Sequence, residues 1–320
     1  MQALGRRYRR SLTLGVLAVC GLGACRTAPL PPDSRPADGA EAVSLTGERL
    51  VSPPIPAGTR DAYEQRLAEA RRAYDRTPAN ADSIIWLGRR TAYLGRYREA
   101  IGIFTHGVSK HPNDPRMYRH RGHRYITVRD LDRAIADLTR AAQLTRGQPD
   151  QVEPDGIPNA LNVPTSTLQS NVWYHLGLAH YLQGDFGRAL PAYREALRVS
   201  NNPDMLVATS HWLYMTLRRL GRDADAGAVL RPISRDLTII ENDAYHRLLL
   251  MYKGELPLDS LAPVGTDPVG DATIGYGVGN WHMYNGRRDA AMEVFRRVAG
   301  RGSWAAFGYI AAEAEVARAR

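Results

Sequence analysis

The sequence predicts an all-α fold, a curved array of helical hairpins stacked side by side. The first observation is the stretch Trp86 to Pro112. Counted from Ala81 as position 1, it holds Gly88 at 8, Gly95 at 15, Tyr97 at 17, Ala100 at 20, Phe104 at 24, Gly107 at 27 and Pro112 at 32. Small residues at 8, 20 and 27 let two antiparallel helices approach, and the large residue at 24 fills the space between them. The glycine at 15 supplies the left-handed residue that ends the first helix. The second observation is recurrence. The same positions return as Gly122, Ala134, Leu138 and Ala141, as Gly177, Gly184, Ala189, Tyr193 and Ala196, and as Gly279, Gly286, Ala291 and Phe295. A fourth copy keeps Gly221, Ala226 and Leu230 but has Tyr214 at position 8. The third is that one hairpin cannot bury its own apolar face, so copies must stack.

This spacing resembles the tetratricopeptide repeat. The resemblance implies a right-handed superhelix of helical hairpins, with the first helix of each repeat lining a concave groove. Stretches such as GRYREAI and HPNDPRMYRHRGHRYI are also similar to bacterial tetratricopeptide lipoproteins. That likeness implies architecture and place rather than an activity.

The chain begins with an address. Arg6, Arg7, Arg9 and Arg10 precede a short apolar run, Ser11 to Gly23, too short to span a bilayer. It ends Leu22-Gly23-Ala24-Cys25, which resembles a lipoprotein cleavage site. The resemblance implies a signal peptide over 1–24 and a lipid-bearing, palmitate-type anchor on Cys25. Arg26, in place of Asp, implies the outer membrane, facing the periplasm. Residues 25–59 read as a lipidated cysteine and Pro-rich disordered tether, with Pro29, Pro31, Pro32, Pro36, Pro53, Pro54 and Pro56 among small and polar residues.

The solenoid is expected over 60–320. A cap helix at 60–78 carries Tyr63, Leu67, Ala70 and Tyr74 on one face. Repeats follow near 81–114 and 115–146. An insertion at 147–167 has four prolines and two glycines, longer than the link between adjacent repeats requires. Its Ile157, Leu161 and Val163 favour an ordered loop that packs back and narrows the groove. Repeats resume near 170–203 and 207–239, then a degenerate unit at 240–271, a last repeat at 272–302 and a capping helix at 303–320.

Carried over residue by residue, the concave positions place Arg89, Tyr93, Arg116, Arg119, His123, Tyr174, Tyr181, His211, Met215, Arg218, Asn280 and Tyr284 on the groove. Arginines and aromatics are the usual anchors of binding surfaces, and clustered guanidiniums suit a carboxylate or another planar anion. The peptide clamp of the repeat class uses Lys and Asn where this sequence has Arg and His.

No catalytic constellation is found. GxSxG, CxxC and a phosphate-cradling loop with Lys are absent, and Gly275, Gly277 and Gly279 lack the strand and spacing of a dinucleotide fingerprint. His120 and His123 share a helix face, but Arg119, Arg121 and Arg124 surround them and repel a cation. No metal or cofactor is therefore expected. The formal net charge is +9, of which four charges lie in the first ten residues, so the remaining excess does not point to nucleic acid. The expected function is a membrane-anchored adaptor, not an enzyme, that binds a protein or peptide through its concave groove. The alternative is a receptor for a small anionic or glycan ligand enclosed by the insertions. An enzyme using the His and Arg cluster ranks last. An open groove distinguishes the first; an enclosed pocket lined by Arg119, His123 and Tyr174 distinguishes the others.

Overall fold

The computed structural model describes residues 39–261, 267–300 and 303–320. The signal peptide, Cys25 and the first part of the tether lie outside the described residues. The elements are β1 (Ala40–Val43), β2 (Arg49–Val51), α1 (Ala57–Arg76), α2 (Ala81–Tyr93), α3 (Tyr97–Lys110), α4 (Pro115–Thr127), α5 (Leu131–Thr145), α6 (Leu168–Leu182) and α7 (Phe186–Val199). They continue as α8 (Pro203–Arg219), α9 (Asp223–Val229), α10 (Asp243–Tyr252), α11 (Pro268–Tyr284), α12 (Arg288–Ala299) and α13 (Phe307–Arg318), with a 3-10 turn at Leu258–Leu261. The pairs α2–α3, α4–α5, α6–α7, α8–α9 and α11–α12 are antiparallel hairpins stacked in chain order, as the spacing predicts.

The close contacts are those expected from positions 8 and 24. A Cβ on Gly88 would fall 2.5 Å from the Phe104 ring, on Gly122 2.8 Å from Leu138, on Gly177 2.8 Å from Tyr193 and on Gly279 2.6 Å from Phe295. A methyl group at any of these sites would force the hairpin apart. The turn residue is left-handed in every hairpin: Gly95, Gly184, Gly221 and Gly286 have φ between 68° and 82°, and Gly254 of the degenerate unit has φ 82°. In the second repeat the position belongs to Arg129, at φ 68°. A side chain there is strained, and Arg129 is held by interactions far along the chain.

Helix starts follow polar caps. Asn80, Asp114, Asp130, Asp185 and Asn202 each accept an N–H of the first turn, and Thr167 with Ser170 forms a reciprocal capping box. Pro203 and Pro268 begin α8 and α11 about one turn earlier than the repeat register places them, because proline is favoured at the first helical position. α9 is cut to Asp223–Val229, short of its repeat; Pro232 follows and blocks continuation.

The tether expectation needs correction in its second half. β1 and β2 pair antiparallel, and Ala40, Ala42 and Leu50 are buried. They pack with Tyr97, Phe104, Trp304 and Tyr309, residues from both ends of the array. The Trp304 indole N–H donates to the Val51 carbonyl at 2.6 Å, and the Leu45 N–H donates to Glu313 Oε1 at 2.6 Å. The partners of this short hairpin lie from 43 to 268 residues away, so local composition carries no trace of them.

The C-terminal helix caps the array and does more. α13 packs against α11, α12 and α6, and Gly308 through Glu315 are buried on every side of the helix. Gly308 meets α11 where a Cβ would lie 2.3 Å from the Ala272 carbonyl oxygen. Arg129 Nη2 pairs with Glu313 Oε2 at 2.7 Å and also donates to the Trp304 carbonyl at 2.9 Å. Arg219 Nη1 pairs with Glu315 Oε1 at 2.7 Å. α13 thus lies across the inner helices of the later repeats, tied down by two enclosed ion pairs.

Candidate functional site

The concave positions divide into two sets. Tyr181, His211, Met215 and Asn280 are fully enclosed, with at most a trace of exposure. Tyr276 Oη donates to Tyr181 Oη at 2.8 Å, and Asn280 Nδ2 donates to the same oxygen at 2.9 Å. Arg219 Nη1 donates to Asn280 Oδ1 at 3.0 Å. These residues take the inner face as the repeat register predicts, but α13 and the neighbouring helices occupy the space before them. A partner cannot reach them in this conformation. Arg218 is half-buried over the Tyr284 ring at 4.3 Å and pairs with Asp223 at 2.8 Å. Arg116 is spent on Asp114 and Asp82, both at 2.6 Å, and the hydrogen bond to Asp114 raises its pKa above the ordinary range.

The second set converges. Arg89, Tyr93, Arg119 and His123 line one cavity of about 110 Å³, together with Phe104, His120, Arg124 and Glu153. Arg119 and His123 also line a larger chamber of about 300 Å³, walled by Tyr174, His175, Met205, Ala208, Tyr245 and Phe307 and bordered by Thr165, Ser166, Ser170 and Asn171. A third hollow of about 240 Å³ runs from Arg89 and Glu153 out to Trp86, Arg116 and Val152. α2, α4 and α6 form the floor, the insertion forms the roof, and Phe307 of α13 closes one end.

The insertion is ordered and packs back, through polar and backbone groups rather than through the apolar residues that suggested it. Arg90 Nη1 donates to the Gly156 carbonyl at 2.5 Å, and a Cβ on Gly156 would collide with the Tyr93 hydroxyl. Thr165 Oγ1 donates to Glu241 Oε2 at 2.5 Å, and the Glu153 N–H donates to the Ser166 carbonyl at 3.0 Å. Val152, Ile157, Leu161 and Val163 point outward, 46–65% exposed.

The electrostatics of the pocket are unbalanced. Arg119, 7% exposed, pairs with Glu153 Oε1 at 3.0 Å, while its Nε has no partner. Arg124 lies over the Tyr97 ring at 5.5 Å and Arg89 over Trp86 at 4.6 Å. Neither makes an ion pair among the described residues. Loss of hydration lowers the Arg124 pKa to about 10, so the group stays charged at neutral pH. Arg119 Nη1 donates to Nδ1 of His120 at 3.1 Å and of His123 at 3.4 Å. A guanidinium only donates, so both imidazoles are neutral with the proton on Nε2. Burial first, then the nearby arginines, hold His120, His123 and His175 well below the usual histidine range. His175 Nδ1 donates to the Asn171 carbonyl at 2.6 Å. Such a site repels cations and receives anions.

Glu153 and Phe307 escape the sequence reading as pocket residues, and Arg124 enters it only as a charge beside His120 and His123. Glu153 sits in an insertion with no repeat register, Arg124 at position 10 is one step off the concave set, and α13 lies beyond the repeats.

The tetratricopeptide repeat family model matches residues 170–202, the hairpin of α6 and α7. The other four hairpins stack beside it in the same helix–turn–helix order, so a tetratricopeptide-like architecture runs through the described residues. Nothing among curated proteins matches the chain. Among solved structures it is similar to a tetratricopeptide repeat protein from Parabacteroides merdae, at 13% identity over 77% of this chain and 89% of that one, with a TM-score of 0.47. It is also similar to YrrB, described as having an unusual peptide-binding site, at 14% identity over 72% and 91%, TM-score 0.41. MamA follows at 16% identity over 55% and 92%, TM-score 0.41.

Proposed function

We propose that this protein is a non-enzymatic binding protein, anchored to a membrane of the cell envelope through a lipid on Cys25, that takes its target into the partly covered pocket between α2, α4 and α6. The observation that carries the reading is a partly covered cavity at which the concave positions converge. α13 fills the later part of the concave face, and the insertion roofs the earlier part over Arg119, His123 and Tyr174. The Leu22-Gly23-Ala24-Cys25 run supports the anchor, and Arg26 supports the outer membrane.

Ala208 lines the larger chamber and is partly exposed to it, so Ala208→Trp fills the space without removing a charge. The anchored protein is purified from its native membrane, and co-purifying small molecules and proteins are identified by mass spectrometry. Loss of the target from the Ala208→Trp protein is the expected result; undiminished recovery overturns the pocket reading.

A second reading is favoured by the exposed apolar residues of the roof. Val152, Ile157, Leu161 and Val163 on one loop suit a protein adaptor whose partner contacts the insertion from outside. There Ala208→Trp leaves recovery intact, and replacement of the loop residues by Ser abolishes it.

A further inference from the structure

We propose that the pocket binds a small organic monoanion with an apolar body, its carboxylate among Arg89, Arg119 and Arg124 and its body in the chamber formed by Tyr174, Tyr245, Met205 and Phe307. The proposal deepens the pocket reading given above and rests on it.

Three guanidiniums, of Arg89, Arg119 and Arg124, line the smaller cavity and face one carboxylate, that of Glu153. Enclosed charge without a counter-ion is costly, and natural interiors pair it or hydrogen-bond it. Here the Arg119 Nε is enclosed without an acceptor, and Arg124 has an aromatic ring as its nearest support. The imidazoles of His120 and His123 accept from Arg119 and add no charge, so three guanidiniums face Glu153 in the cavity and Asp155 acting on Arg89 from nearby. The Nη groups of Arg119 are taken by His120, His123 and Glu153, so one more carboxylate would find its unused donors on the planar forks of Arg124 and Arg89 beside it.

The second half of the argument is the shape and chemistry of the space beside those donors. Arg119 and His123 line both chambers, so the two spaces adjoin at these side chains. Across from them lie Tyr174, Tyr245, Met205, Ala208 and Phe307, with Phe307 centred 5.4 Å from the His123 ring and 6.3 Å from Tyr174. Thr209 and Asn242 join this wall, so the space offers an apolar and aromatic face together with polar groups that can orient a small molecule. A bare inorganic anion would leave this chamber unfilled. Glu153 already spends its carboxylate on Arg119, so it competes with the ligand for that guanidinium.

The test is a calorimetric titration of the full chain in detergent, with 3-phenylpropionate, acetate, inorganic phosphate and the uncharged 3-phenylpropanol as probes. The expected result is that 3-phenylpropionate binds at least tenfold more tightly than each of the other three, with affinity falling as salt rises. Glu153→Gln should tighten 3-phenylpropionate binding at least fivefold, and Arg124→Gln should weaken it at least tenfold. Equal affinity for the acid and the alcohol, no binding of the acid, or phosphate as the tightest ligand overturns the proposal. So does tighter binding of a peptide with a free C-terminal carboxylate, lost in its amide, which would make the ligand a chain terminus. The four probes and the peptide pair, all titrated into the unmodified protein, decide between these outcomes, so the test survives a variant that fails to fold. If Ala208→Trp abolishes native target recovery while 3-phenylpropionate does not bind, the anion assignment fails and the pocket reading stands. If the acid binds while recovery is undiminished, the reverse holds.

Discussion

The two halves of the concave face start from the same repeat positions and end in opposite states. In the later half, Tyr181 meets Trp212 edge to face and Trp212, Tyr276 and Phe295 stack in turn, with ring centroids 5.1–5.7 Å apart between successive members. The arginines there have carboxylates: Arg219 has Glu315 of α13 and Arg218 has Asp223. In the earlier half, Arg89 and Arg124 have none, and Arg119 shares its one carboxylate with a loop. The difference teaches that the repeat register fixes which residues face inward, not what they face. That is decided by the segments outside the repeats: α13 for one half, residues 147–167 for the other.

The comparison breaks most visibly at Glu313. Its carboxylate accepts from Arg129 and from the Leu45 N–H, so it joins the β-hairpin, the second repeat and α13. Glu313→Ala leaves an enclosed guanidinium and an amide without an acceptor, and is expected to cost about 3–5 kcal/mol in urea unfolding. Asp82→Ala, which removes an exposed partner of Arg116, should cost about 0–1 kcal/mol. If the two losses are alike, α13 is not held by its charge pairs.

Acid sharpens the contrast next. His211 is enclosed with both ring nitrogens unpartnered, and burial lowers its pKa to about 3. The unfolded chain binds a proton there below roughly pH 6.5, and the folded chain does not until far lower. Stability is therefore intact above the unfolded value and is lost as pH falls towards the folded one. Between pH 6.5 and 5 one such histidine contributes a loss of about 2 kcal/mol. His120, His123 and His175, shifted the same way, add to the slope. His211→Leu should flatten the pH dependence of the urea midpoint by one histidine's share; an unchanged slope would mean that His211 is hydrated.

Much of this architecture was legible because close packing writes itself into the sequence. Gly88 opposite Phe104 and Gly177 opposite Tyr193 are contacts between residues 16 apart, so a fixed spacing reports them. The left-handed turn residue is equally local, and it appears even at Gly254, in the degenerate unit. The convergence of Arg119, His123 and Tyr174 followed from the same register. What the sequence did not disclose is long-range. β1 pairs with β2 nearby but is buried by Trp304, and Glu153 enters the pocket from a loop that keeps no period. Ile157, Leu161 and Val163 misled for a related reason: their alternation suggested packing, while backbone and hydroxyl groups hold the loop and leave them outside.

The roof itself offers a smaller effect. Gly156 passes against Tyr93, and a methyl group there would overlap the phenol oxygen. Gly156→Ala should displace the loop and break the bond from Arg90, at a cost of about 1 kcal/mol. Faster proteolytic cleavage within 157–163, with little change in the urea midpoint, is the expected signature. If cleavage is unchanged, the loop is held by Thr165, Glu241 and the capping box instead.

The smallest effect separates the two candidate surfaces. Leu161 is 65% exposed and Ile157 48% exposed, so replacing either by Ser should alter stability by less than about 0.5 kcal/mol. Neither residue lines the chambers under the roof, so neither change should alter affinity for an anionic probe. A protein that docks on the insertion, by contrast, would bury these side chains, and loss of one buried Leu from such a contact costs about 1.5–3 kcal/mol, roughly tenfold or more in affinity. Leu161→Ser and Ile157→Ser therefore leave folding and the pocket untouched while reading the outer face alone. Unchanged recovery of the native target in both variants, alongside its loss in Ala208→Trp, would assign recognition to the charged half of the concave face and leave the outward apolar residues as surface.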